Sequence, residues 1–295
     1  MRIGIDLGGT KTEALLIDKD GKKIFSKRIP TAKNYEGTIQ GIVNLVEEIE
    51  QNHKEIQSIG IGMPGAISLE TSLIKSANSV WMNGKPLKFD LEKILNKNIN
   101  IENDANCFTL SEAVDGAGQS YSVVFGVIIG TGTGSGIVVD KKIHKGINRA
   151  AGEFGHNCLP RSNDKEINLA KKCYCGLHGC IETFLSGPGF TGIFNNTNKT
   201  NIKSEEIVEL YKKNDSRAIQ ALQDYVDRLA RSLSDVINIL DPDVIVLGGG
   251  MSNIDFIYEN INDLLPQYVF SDSVRTKVLK NKHGDSSGVR GAAWL

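Results

Sequence analysis

The apolar positions repeat with two periods. Ile3-Gly4-Ile5-Asp6-Leu7 alternates and is β-branched, breaks at Gly8-Gly9-Thr10-Lys11-Thr12, and resumes as Ala14-Leu15-Leu16-Ile17. This predicts strand, glycine turn, strand. The arrangement recurs at Phe125-Gly126-Val127-Ile128-Ile129, then Gly130-Thr131-Gly132-Thr133-Gly134-Ser135-Gly136, then Ile137-Val138-Val139. Each copy ends in an Asp-Lys turn, Asp18-Lys19 and Asp140-Lys141. Self-similarity at this domain-sized interval points to a duplicated α/β unit and not to a short-period solenoid. Between the copies, Ile39, Ile42, Val43, Val46 and Ile49 give Glu36 to Asn52 a helical period, and Ile56 to Gly62 reads as a buried strand. Further on, Ser204 to Asn214 and Ala218 to Leu240 are helical in pattern, stopping at Asp241-Pro242 before the apolar strand Val244 to Leu247. Arg161 to Lys172 is charged and has no clear period.

A chain of 295 residues suits two lobes of ordinary domain size. The small polar segment Asp115 to Ser120 is the expected crossover. Residues 1–116 with a C-terminal helix 284–295 are expected to form a smaller lobe, and 117–283 a larger one. The composition is that of a soluble globular protein, 40% hydrophobic and 23% charged, with no apolar run of membrane-spanning length. Met1-Arg2-Ile3-Gly4 runs into a strand without the regions of a secretory signal, so a cytoplasmic location is expected. The net charge of −1, with both signs dispersed, offers no footprint for nucleic acid or an acidic membrane and leaves a small molecule as the expected partner.

Glycine- and threonine-rich turns after strands expose N–H groups and small hydroxyls that wrap phosphate oxygens. A lone Gly-Gly turn is most often a simple hairpin. The second copy, with Thr10 and Lys11 beside the first, favours phosphate. Gly8, Gly9, Thr10 and Lys11 in the first copy and Gly130, Thr131, Gly132, Thr133 and Gly134 in the second are therefore candidate ATP contacts. Neither copy has P-loop or dinucleotide-fingerprint spacing. Asp6, just before the first turn, is placed to hold Mg²⁺ that bridges ATP phosphates, although such an Asp can also only brace its turn. Gly248-Gly249-Gly250 follows the strand ending at Leu247 and lets backbone approach a flat base such as adenine. Asn103-Asp104 ends one strand and opens a helix. Asp104 reads as an N-cap or, in phosphoryl transfer, as the base that accepts a hydroxyl proton.

Five cysteines make an odd count, and Cys173, Cys175 and Cys180 are crowded together. With His156 they form a tetrahedral set suited to structural Zn²⁺, with His178 as the competing ligand. The metal would brace two segments that carry Glu153 and Glu182.

These motifs together resemble the ROK group of sugar kinases and repressors. The resemblance rests on Asp6-Leu7-Gly8-Gly9-Thr10-Lys11, Asn103-Asp104, Glu153-Phe154-Gly155-His156 and the run Cys173 to Glu182, and it covers the whole chain. Ala77 to Trp81, Asn103 to Asn106, Leu240 to Asn253 and Lys282 to Leu295 look like the bacterial fructokinase/mannokinase branch, with N-acetylglucosamine kinases next nearest. The resemblance implies an actin-like, ribonuclease-H-like pair of lobes with the active site in the cleft between them. It implies Asp104 as base, and Gly65, Asn78, Asn103, Glu153, His156 and Glu182 at the hexose. It implies a homodimer as well. The expected activity is ATP-dependent phosphorylation of a hexose at its 6-hydroxyl, fructose before mannose, with N-acetylglucosamine or glucose as alternatives. A sugar-sensing repressor is the expectation from another class. It is disfavoured because only five residues precede Asp6, too few for a DNA-binding extension. A non-catalytic sugar-binding protein is the other rival, and Asp104 with two intact turns speaks against it.

Overall fold

The computed structural model describes residues 1–169 and 171–295. Their contacts define two units, Met1–Gln119 with Lys282–Leu295, and Ser120–Asn281. The first contains β1 (Arg2–Leu7), β2 (Lys11–Ile17), β3 (Lys23–Pro30), α1 (Tyr35–Asn52), β4 (Ser58–Met63), the small ribbon β5 (Ala66–Ile67) and β6 (Ile74–Lys75), α2 (Leu87–Leu95), β7 (Ile99–Asn103), α3 (Asp104–Val114) and a C-terminal helix (Ser287–Trp294). Its sheet runs β3-β2-β1-β4-β7, with two antiparallel steps followed by two parallel ones. Alternation along the strands sets the layers. Ile3, Ile5, Ala14 and Leu16 share one core with Ile39, Ile42, Val43 and Val46 of α1. Leu15 and Ile17 meet Val289 and Ala293 of the C-terminal helix on the opposite face. Burial on both faces is why these strands read as nearly continuous apolar runs. The C-terminal helix approaches so closely that a Cβ at Gly60 would lie 1.9 Å from the Ala292 carbonyl oxygen, so only glycine fits that point of β4.

Glu112, on α3, is fully buried. Its Oε2 accepts from the backbone N–H of Ala117 (2.8 Å) and Lys282 (3.1 Å). Its Oε1 accepts from the Ser287 hydroxyl (2.8 Å) and the His283 N–H (3.4 Å). One carboxylate thus ties α3 and the residues after it to the start of the C-terminal segment, all within the first unit. The division between the units falls at 119/120 and 281/282, where 116/117 and 283/284 were expected. Asp115, one turn on, takes the Arg290 guanidinium and the Trp294 indole N–H.

The second unit contains β8 (Val123–Ile129), β9 (Thr133–Val139), β10 (Lys142–Ile143), α4 (Asp164–Leu169), α5 (Glu182–Leu185), α6 (Gly187–Asn198), α7 (Ser204–Lys212), α8 (Ser216–Leu240), β11 (Val244–Gly248), α9 (Asp255–Leu264) and β12 (Lys277–Lys280). The order β10-β9-β8-β11-β12 repeats that of the first sheet, with the same sense at every step. The duplication read in the sequence is therefore a duplication of topology. The Asp-Lys turns differ in detail. Asp140 and Lys141 both take positive φ in a two-residue hairpin turn, whereas Asp18 folds its side chain onto the N–H groups of Asp20 and Lys22 in a longer loop. Asp215 caps α8, which buries Leu222, Tyr225, Val226, Leu229, Leu233 and Ile237 against the sheet and stops at Asp241 before Pro242. No helix among the described residues is long and apolar enough to cross a membrane.

The period-free stretch 161–172 includes residue 170, which lies outside the described residues, and contains the six-residue α4. Charge holds this helix, which is why no hydrophobic period announces it. Buried Glu166 accepts from Arg228 Nε (2.9 Å) and Arg231 Nη2 (2.6 Å).

Two measurements check these anchors. Glu112→Gln keeps the shape but replaces one acceptor oxygen by a donor. At about 1–3 kcal/mol for each buried donor left unsatisfied, it is expected to lower the urea midpoint clearly, and an unchanged midpoint contradicts the anchor. Burial alone would raise the Glu166 carboxyl, but the Arg231 and Arg228 hydrogen bonds outweigh it and hold it below the ordinary value of 4.5. The depressed value means that Glu166 contributes stability above its unfolded pKa and loses it as pH falls through the folded one. The stability gap between the wild type and Glu166→Gln is therefore expected to close on acidification below that ordinary value, and a constant gap contradicts the assignment.

Candidate functional site

The candidate residues of the first unit gather at one end of its sheet. In the turn between β1 and β2 every carbonyl from Gly8 to Lys11 is occupied. Gly8 accepts from the Thr31 hydroxyl (2.8 Å), Gly9 from Lys33 Nζ (2.6 Å), Thr10 from the Thr31 N–H (3.0 Å) and Lys11 from the Gly8 N–H (3.0 Å). With its oxygens held by protein donors, the turn does not oppose an incoming anion with bare carbonyls. Asp6 sits on β1 just before it. Burial, then repulsion from Asp104 and Glu13, raises the Asp6 carboxyl to about 7 against the pull of Arg28. A cation would relieve this strain, which suits a metal-holding role.

Asn103 caps α3 through Oδ1 to the Ala105 N–H (2.9 Å), while its amide donates to the Gly65 carbonyl (3.1 Å). Asp104 Oδ1 also accepts from the Ala105 N–H (2.9 Å). Asn103 thus takes the N-cap that the sequence offered to Asp104, and Asp104 is the first residue of α3. Asn78 is exposed on the loop after β6. Asn83, which sequence reading passed over, pins that loop by bonding both the N–H (2.8 Å) and the carbonyl (3.0 Å) of Ala77. Lys33 on the first turn was passed over too, since an isolated lysine after a strand carries no signal of its own.

In the second unit, the turn at Gly130, Thr131 and Gly132 joins β8 to β9, while Thr133 and Gly134 already belong to β9. Glu182 Oε2 accepts the Thr133 N–H (2.9 Å), and a Cβ on Gly132 would meet that oxygen at 2.7 Å. Glu182, which the sequence reading assigns to the sugar, therefore braces the second turn. Gly248 ends β11. Gly249 takes φ +79 with its α-carbon so close to β8 that a Cβ would lie 2.5 Å from the Ile129 carbonyl. A Cβ on Gly250 would meet nothing within 4 Å.

His156, Cys173, Cys175 and Cys180 come together with all four ligand atoms within 4.8 Å of one another. Cys175 and Cys180 sulfurs are 3.6 Å apart, close to the edge of about 3.8 Å expected for thiolates around tetrahedral zinc. His156 presents Nδ1 to the Cys173 sulfur at 3.5 Å. Burial pushes the Cys180 thiol up to about 12 and raises Cys173 as well, so a cation is what would hold three thiolates here. The set fits a closed structural metal site. His178 and Cys158 are exposed and stand outside it. The segments bearing the ligands also pair directly, through Leu159 N–H to Gly179 O (2.8 Å) and Ile181 N–H to Asn157 O (2.9 Å). A metal would therefore lock a pairing that backbone bonds already specify. Glu153 is exposed just ahead of His156. Tyr174, also passed over in the sequence, places its hydroxyl 2.9 Å from His156 Nε2.

A cavity of about 460 Å³ in the second unit lies away from these groups, lined by Arg161, Glu166, Asp227, Arg228, Arg231 and Tyr268 among others. None of the candidate residues lines it. Its charged side chains serve the α4 network.

The family model of the ROK family matches residues 2–295. An N-acetyl-D-glucosamine kinase of Haemophilus influenzae (strain 86-028NP) is 37% identical over 300 residues, covering 100% of this chain and 99% of that protein. Among solved structures, a ROK hexokinase from Thermus thermophilus superposes with a TM-score of 0.88 at 25% identity, covering 99% of this chain and 96% of that one. A ROK family glucokinase from Streptomyces griseus, solved with glucose and AMPPNP, gives 0.77 at 25% identity over 99% and 97%. Duplicated sheets, glycine turns and end-to-end similarity agree: the chain belongs to the ROK family and is a sugar kinase with the actin-like two-domain ATPase fold.

Proposed function

We propose that this kinase transfers the γ-phosphoryl group of ATP to the 6-hydroxyl of N-acetyl-D-glucosamine. The full-length similarity to an N-acetyl-D-glucosamine kinase carries the choice of sugar. It displaces fructose, which the local motifs had brought forward. Substrate identity rests on hydroxyl and acetamide contacts that short motifs do not encode.

Asp104 is the base. As its carboxylate takes the proton of the 6-hydroxyl, the sugar oxygen bonds to the γ-phosphorus and the bond to the ADP oxygen breaks. Gly65, Asn78, Asn103, Glu153, His156 and Glu182 are assigned to the sugar. The turns at Gly8 to Lys11 and Gly130 to Gly134, with Gly248 to Gly250, are assigned to the nucleotide. Mg²⁺ entering with ATP would be held by Asp6 and would neutralise phosphate charge. Zinc on His156, Cys173, Cys175 and Cys180 would fix the loop without acting as a Lewis acid.

ADP release measured with N-acetyl-D-glucosamine, glucose, mannose and fructose is expected to give the highest kcat/KM for the first, and a higher value for fructose would overturn the choice. With the preferred sugar, Asp104→Asn is expected to lose roughly 10²–10⁴ in kcat while keeping its metal. Near-normal turnover removes Asp104 as base. Cys175→Ser is expected to release zinc and raise the sugar KM. A folded, fully active, metal-free variant contradicts the bracing role.

A further inference from the structure

Tyr174 stands between two of the cluster's cysteines and is 82% exposed, yet its hydroxyl is committed. It lies 2.9 Å from His156 Nε2, and its ring stands edge-on to the imidazole at a centroid distance of 5.0 Å. Glu153 and Glu182 are its electrostatic neighbours. One group assigned to the hexose, His156, therefore touches this phenol, and two more, Glu153 and Glu182, act on it electrostatically.

The imidazole has one N–H to give. Nδ1 faces the Cys173 sulfur and the metal-binding set, which leaves Nε2 as the protonated nitrogen. A sugar hydroxyl and the Tyr174 hydroxyl cannot both hold that donor in a straight bond. Because most of the tyrosine is already in water, swinging it away opens no cavity in the core.

We propose that Tyr174 is a positioning residue that occupies the sugar's place on His156 in the empty protein and is displaced when the hexose binds. It keeps the imidazole oriented before substrate arrives, at the cost of some sugar affinity. This inference rests on the assignment of His156 to the hexose.

Isothermal titration of N-acetyl-D-glucosamine into the zinc-loaded protein without nucleotide tests it. Tyr174→Phe keeps the ring and removes the hydroxyl. If one net hydrogen bond is no longer displaced, Kd is expected to fall about 2- to 10-fold, with kcat, the ATP KM and the zinc content unchanged. Equal or weaker sugar binding by Tyr174→Phe overturns the proposal, as does loss of zinc from that variant. If the wild type does not bind N-acetyl-D-glucosamine, the same titration with the sugar of highest kcat/KM separates a wrong sugar from a wrong role for Tyr174. If no sugar binds, the hexose assignment and this inference fall together.

Discussion

The Glu182 carboxylate joins the separate motifs of the second unit into one arrangement. One of its oxygens accepts the N–H of Thr133 where β9 begins, and the other lies 3.9 Å from the Cys173 sulfur. Glu182 also opens α5 directly after Cys180 and Ile181. The glycine turn, the cysteine loop and the helix start are thereby fixed to one side chain. Such a partly buried carboxylate is tolerated because its acceptors meet a backbone donor and, on the other side, the cysteine–histidine cluster. Glycine at 132 follows directly, since any side chain there would collide with the carboxylate.

The first unit works through the opposite tension. Asp6 and Asp104 come from different elements and repel each other, and the Asp6 carboxyl is raised to about 7 chiefly by burial. A fold optimised only for stability would not keep two acids in this relation. Such strain suits the proposed role of the site in taking a phosphate with its cation. Glu112 and Asp115 meanwhile hold the C-terminal segment against α3, fixing the scaffold behind those acids.

Much of this was legible because it is local. Alternation in β1, β2, β8 and β9, the glycine turns between them, and the Cys-x-Cys spacing each arise within a dozen residues, so sequence period and composition carry them. The two identical sheet orders then follow from the repeated pattern. What stayed hidden depends on groups distant in sequence. Glu112 meets Lys282 and Ser287 across more than half the chain, and nothing around an isolated helical glutamate signals that. Helix α4 is held by Arg228 and Arg231 and has no apolar stripe to reveal it. Asn83 and Tyr174 act through the loop or ring beside them, so their residue types alone say nothing. The choice of sugar is hard to read from the sequence for a related reason. Fructose and N-acetyl-D-glucosamine present overlapping hydroxyls, and motifs that grip hydroxyls do not by themselves separate them.

Proton-coupled phosphorus NMR of the material formed from ATP and N-acetyl-D-glucosamine addresses acceptor and position together. A phosphomonoester signal split by the two protons on C6, together with an equal amount of ADP, is the predicted result. A sugar phosphate coupled instead to the anomeric proton, or ADP formed without any sugar phosphate, would contradict the transfer to the 6-hydroxyl described above.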